Sequence, residues 1–112
     1  MMKSIMQTKK ECYVCRKLVG EKIPLPDVWL EMHHIFGASN RKLSEKYGLK
    51  VWLCHRHHNE PPDGVHFNAE LMQQLHEEGQ KAFEKAYPEL RFRSHFGKNY
   101  LQEEEKNETE CN

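Results

Sequence analysis

No run of 18 apolar residues occurs anywhere in the chain, so no membrane-spanning helix is expected. The opening stretch, Met1 to Lys10, lacks the apolar core of a secretory signal, and a cytoplasmic protein is the expectation. A surplus of one charge is missing too: 17 basic residues balance 17 acidic ones. Apolar residues make up only 38% of the 112 positions and mean hydropathy is −0.91, which leaves little material for a core. Such a chain holds one small domain, and a core this thin calls for a metal or covalent staple. There is no internal repeat.

Cysteine and histidine are what the chain has in plenty, with 4 and 8 copies. In a cytoplasmic chain they point to metal sites before disulfides. Charge is also unevenly spread. The segment 102–112 holds Glu103, Glu104, Glu105, Glu108 and Glu110 against Lys106 alone. Without it the body keeps 16 basic and 12 acidic residues, a formal charge of +4 that suits a nucleic-acid partner. Residues 1–10 read as a flexible basic lead, 11–101 as the single domain, and 102–112 as an acidic disordered tail.

Within the domain, Val28 to Phe36 is β-prone and bounded by Pro26 and Gly37, and Leu49 to Leu53 reads as a returning strand. Gly37 to Lys46 between them reads as a polar, basic loop. Trp29 and Trp52, on the paired strands, are expected in the core. Cys54 to Glu60 reads as a short helix stopped by Pro61 and Pro62. A long helix is expected from an Asn68 cap to Tyr87, where Pro88 ends it, with Leu71, Met72, Leu75, Ala82, Phe83 and Ala86 on one face. The fold class is therefore α+β.

Cys12-x-x-Cys15 and Cys54-x-x-His57 are two pairs with two-residue spacing. A tight turn lets both side chains of such a pair face one ion, and two pairs close a tetrahedral zinc site with no open position. Three thiolates and one imidazole are a structural set, whose binding energy would supplement the thin core. Cys111, in the tail, looks unligated. His33-His34 ends the first strand and His58 follows His57. Adjacent strand residues point to opposite faces, so His33 and His34 are expected to do different work. His58, turned by about 100° from His57 on a helix, can leave the zinc and face the same groove. His66, in Gly64-Val-His66-Phe-Asn68, is a candidate third metal ligand or phosphate contact, with a surface histidine as the alternative. His55, His76 and His95 are expected on surfaces.

This arrangement of two strands, a short helix, a zinc-knuckle pair and the His-His dipeptide resembles the HNH, or ββα-metal, nuclease family over roughly Cys12 to Asn59. His-His-Ile followed by Leu-Cys-x-x-His-His is similar to phage recombination-enhancement nucleases that act with the RecA recombinase, and to small prophage proteins. The resemblance implies a zinc-stapled ββα-metal motif with an additional C-terminal helix, hydrolysing DNA phosphodiesters in the cytoplasm of a bacterial host. It implies His33 and His58 as ligands of a catalytic divalent ion and His34 as general base. Magnesium or manganese would serve, with zinc or nickel also admitted by imidazoles. Arg41, Lys42 and Lys46, together with Arg91, Arg93 and Lys98, would contact phosphates. A RecA-type recombinase filament becomes a candidate partner. One departure stands out. Where the family carries a middle Asn this chain has Leu49, and Asn40 and Asn59 are the nearest replacements. Two rival readings share the cage: a zinc-stapled DNA-binding module without catalytic activity, and a RING-like interaction module, which needs about eight ligands.

Overall fold

The computed structural model describes residues 2–101. Helix α1 (Tyr13–Val19) precedes strand β1 (Leu30–His34), a 3-10 turn over Ala38–Asn40 and helix α2 (Arg41–Lys46). Strand β2 (Lys50–Cys54), helix α3 (His55–Asn59), a second 3-10 turn over Val65–Phe67, helix α4 (Ala69–Ala86) and helix α5 (Phe92–Phe96) follow. The described residues thus form a small α+β structure with one two-stranded antiparallel sheet among helices. None of these helices is long and apolar enough to cross a membrane.

The sheet register pairs Leu30 with Cys54 and His34 with Lys50. This sets the start of α3 beside the start of β1 and leaves the His33-His34 end next to α2. Pairing is shorter than the apolar run of 28–36 suggests. Ile35 still donates its N–H to the Leu49 carbonyl at 2.9 Å, but Val28 and Trp29 lie before the ladder. Trp29 is consequently 77% exposed rather than part of the core. Trp52 is half-buried, with the Lys10 ammonium 4.5 Å from its ring centroid.

The stretch expected as a basic loop, 37–46, folds instead into the 3-10 turn and α2. Its sequence is polar, so tertiary contacts hold it: Asn40 Nδ2 donates to the Phe96 carbonyl at 3.0 Å, and Leu43 packs on the core. Ser44 is fully buried, its hydroxyl donating to the Leu49 carbonyl and accepting from Phe36 N–H. Gly48 completes the turn into β2 with φ of 73°, a conformation that costs glycine little.

Residues 4–7 of the lead make specific contacts along β2. Ser4 Oγ donates to the Lys50 carbonyl, Ile5 N–H to the Gly48 carbonyl, and Trp52 N–H donates to Gln7 Oε1. Ile5 and Met6 pack against the core.

Helix α4 starts as the sequence suggests, with Asn68 Oδ1 accepting from Leu71 N–H at 3.1 Å. Its buried face is Leu75, Gly79, Gln80 and Phe83, while Ala86 is exposed. Gly79 lets the helix approach the end of β1: a Cβ there would lie 2.8 Å from Ile35 Cγ2 and 3.2 Å from the Phe36 ring. Helix α5 adds Phe92 and Phe96, which close an aromatic cluster with Phe36 and Phe83. The core thus sits between the sheet, α4 and α5, with the cysteines at one end and the histidine groove along one side.

Candidate metal centre and adjoining cavity

Cys12 caps α1 with its sulfur accepting from Cys15 N–H at 3.4 Å, so both thiols of the first pair turn to the same side. The second pair comes from the end of β2 and the first turn of α3. His57 Nδ1 lies 3.7, 3.4 and 3.3 Å from the sulfurs of Cys12, Cys15 and Cys54, and the Cys15 and Cys54 sulfurs are 3.9 Å apart. A tetrahedral ion bonded at about 2.3 Å to sulfur and about 2.1 Å to nitrogen requires S···S edges of about 3.8 Å and S···N edges of about 3.6 Å. The cluster fits. All three cysteines are free thiols, and Cys111 lies outside the described residues. Burial, with Cys12 and Cys54 beside it, pushes the Cys15 thiol up to about 12, so ion binding there would displace a proton. Burial also lowers the pKa of His57, keeping its imidazole neutral as a ligand must be. These four residues could hold a structural metal.

A second group lies beside the first. His33 from β1, His58 from α3 and His66 from the second 3-10 turn bring one nitrogen each within 4.8 Å of one another. Their ring centroids are 5.0–5.3 Å apart. His33 is 4% exposed, and its Nε2 is the one buried side-chain polar atom without a partner among the described residues. An unsatisfied buried nitrogen is costly unless something completes it. Desolvation, and then the nearby imidazoles of His58 and His66, hold the His33 pKa down at about 3. Its lone pair is therefore available at neutral pH. Burial likewise lowers the pKa of His66.

His58 is fixed from behind by Glu31. Glu31 Oε1 accepts from His58 Nδ1 at 2.7 Å and from the Asn59 amide at 3.1 Å, and Oε2 accepts from the exposed His55 at 3.0 Å. The hydrogen bonds from His58 and His55 hold the Glu31 carboxyl at about 2. Two residues before His33 on β1, Glu31 shares its face, a strand-parity signal that sequence reading passed over.

His34 occupies the neighbouring wall. Its Nε2 donates to Glu45 Oε1 at 2.8 Å, and Arg41 Nε–H donates to its Nδ1 at 3.4 Å. A cavity of about 620 Å³ joins the pieces, lined by His33, His34, Arg41, His58 and His66, with His76 and Tyr100 on its far side. Lys42 and Lys46 are exposed on α2 and do not line it. Asn40 is turned to Phe96 and Asn59 to Glu31, so neither stands at His34; the Leu49 position contributes its backbone to the Ser44 hydrogen bonds. His76, expected on the surface, is half-buried between Phe36 and Tyr100, and burial lowers its pKa. The helical spacing that puts His76 one residue after the buried Leu75 is the only sequence signal for it.

Two metal-competent groups thus share α3, with adjacent residues His57 and His58 facing different ones. The first is closed by four ligands. The second has three nitrogens and a cavity in front, so an ion held there would keep open coordination positions. Compared with family models, with curated proteins and with solved structures, the chain matches none.

Proposed function

We propose that the protein is a metal-dependent DNA endonuclease of the HNH type, built on a zinc-stapled ββα-metal motif and hydrolysing phosphodiester bonds. The observation that carries this reading is the convergence of His33, His58 and His66 around the buried, unpartnered Nε2 of His33, with His34 on the wall of the same cavity. When bound by these imidazoles, a divalent ion supplies Lewis-acid stabilisation of charge on the scissile phosphate and leaving oxygen.

The residues divide the remaining work. His33, neutral and rigid in the β1 backbone, fixes one coordinate of the site. Glu31 fixes the ring of His58. His34 takes the proton of the attacking water, a task suited to an imidazole near neutral pH. Arg41, at the cavity wall and hydrogen-bonded to His34 Nδ1 through Nε, can draw a phosphate oxygen toward His34 with its guanidinium. Lys42 and Lys46 extend the positive charge along α2 for the flanking phosphates. Three nitrogen donors favour manganese, nickel or zinc over magnesium, which prefers oxygen ligands.

The test is direct. Supercoiled plasmid incubated with zinc-loaded protein and Mg²⁺, Mn²⁺, Ni²⁺ or Zn²⁺ should be nicked, and His34→Ala should remove most of the nicking while cage zinc is retained. A wild-type protein that cuts neither plasmid, single strands nor DNA coated with a RecA-type recombinase would be a zinc-stapled DNA-binding module instead. The recombinase filament enters through the resemblance to recombination-enhancement nucleases, and cleavage dependent on it would establish that partner.

A further inference from the structure

We propose that Glu45, anchored by Lys50, is the positioning residue of His34: it fixes the imidazole with hydrogen on Nε2 and leaves Nδ1 as the atom that accepts a proton. The inference rests on the nuclease reading only for what that proton is; the orientation itself stands on geometry.

Three groups form a short chain. Lys50 is the cross-strand partner of His34 in the sheet and is 3% exposed, so its ammonium is withdrawn from solvent. It meets Glu45 Oε2 at 2.8 Å, and Glu45 Oε1 meets His34 Nε2 at 2.8 Å. A buried ammonium needs its counter-charge, so the carboxylate is held in place and ionised; hydrogen bonds from Lys50 and His34 keep the Glu45 carboxyl at about 2. An ionised carboxylate only accepts, so Nε2 must carry the hydrogen. The other side of the ring gives the same answer independently. Arg41 Nε–H can only donate, and it points at Nδ1 from 3.4 Å, so Nδ1 must carry the lone pair. Two partners of opposite character select one tautomer.

Among the described residues neither Asn40 nor Asn59 stands beside His34; α2 supplies a carboxylate there. The arrangement follows a general pattern in which an acidic partner sets the tautomer of a catalytic imidazole and stabilises the imidazolium formed. In the reaction, water would lose its proton to Nδ1 once a phosphate has drawn Arg41 aside. Glu45 would stay on Nε2–H throughout.

The experiment uses the full chain, zinc-loaded, with histidine ¹⁵N-labelled and no second metal added. Long-range ¹H–¹⁵N spectra, recorded where His34 is neutral, should show His34 as the Nε2–H form, and Glu45→Ala should convert it to a mixture. On plasmid with Mn²⁺, Glu45→Ala should lower kcat at least about tenfold, within the ~10⁴-fold that losing an orienting carboxylate can cost, with KM for DNA unchanged. Glu45→Gln, which keeps an acceptor, should retain the Nε2–H form and recover part of kcat. An Nδ1–H form in the wild type overturns the proposal whether or not any variant folds. So do tautomer populations and kcat that Glu45→Ala leaves unchanged. If the wild type cuts no DNA while Glu45→Ala still shifts the tautomer, the positioning stands and the nuclease reading falls.

Discussion

Glu31 on β1 reaches across to α3 and accepts a hydrogen bond from His58 Nδ1 at 2.7 Å. That contact commits the other ring nitrogen, Nε2, to the group formed with His33 and His66. Carboxylates behind ligating imidazoles fix the ring and raise its basicity, and removing one typically costs 10–100-fold in metal affinity. Glu31→Ala should therefore weaken Mn²⁺ or Co²⁺ binding at the histidine group by about 10–100-fold while leaving one cage zinc per chain. Calorimetric titration of zinc-loaded protein measures the first quantity, and elemental analysis the second.

Freshly purified protein should carry about one tightly held zinc. Cys54→Ser should lower that content and reduce the melting temperature sharply, because the binding energy of a structural ion is folding energy, about 10–16 kcal/mol in zinc-finger peptides. A strong chelator should do the same to the wild type. Folded, zinc-free protein with an unchanged melting curve would contradict the cage.

His34→Ala should reduce DNA cleavage by about 10²–10⁴-fold. Its contacts are with Glu45 and Arg41, not with the cage, so zinc content and melting temperature should stay near wild type. Cleavage that survives the substitution would arise from another site or another protein.

Acid should reveal the link between α1 and α4. Burial pushes the Glu78 carboxyl up, but hydrogen bonds from Lys17 and Tyr13 outweigh it and hold it below its ordinary 4.5. A depressed carboxyl contributes stability that is present above its unfolded value, about 4.3, and is lost as pH falls through the folded value. Burial and Glu78 together raise the Tyr13 pKa, so that partner's contribution holds below about pH 10. The difference in unfolding free energy between wild type and Glu78→Gln should be constant from about pH 5 to 9 and shrink below about pH 4. Urea unfolding across that range measures it.

Gly79→Ala separates packing from helix propensity. Alanine gains about 1 kcal/mol inside a helix, yet its Cβ would meet the Ile35 methyl at 2.8 Å, and overpacking costs about 1–3 kcal/mol. The methyl sits on a stiff β-branched side chain, so the net should be destabilising and visible as a melting temperature lower by several degrees. An unchanged or raised value would show that α4 can move outward.

Local signals were readable where spacing or punctuation carried them. The two Cys/His pairs, the Asn68 cap with Pro88, and the initial apolar–polar alternation of the run from Leu49 to Leu53 each depend on residues close in sequence. Helix α2 was not readable, because Arg41-Lys-Leu-Ser-Glu-Lys46 has one apolar residue and is held by Ser44 bonding the Phe36 and Leu49 backbone and by Asn40, just before it, reaching the Phe96 carbonyl. Trp29 was misjudged for a related reason. Its residue type favours a core, but the pairing begins one position later. Glu45 was invisible as a site residue, since its partner His34 lies 11 positions away and meets it only through α2, while Glu31 was signalled only by sharing the face of His33, its partner His58 lying 27 positions away.

The contacts of Ser4, Ile5 and Gln7 fall on Gly48, Lys50 and Trp52, alternate residues whose backbone groups face away from β1. Together they occupy the outer edge of β2 as an added strand would, without the regularity of one. An open edge on a two-stranded sheet is a template for pairing with a second chain and, in time, for aggregation. The N-terminal segment therefore acts as a selvage: it finishes the sheet at its open margin, and trimming the first seven residues would leave that margin adhesive.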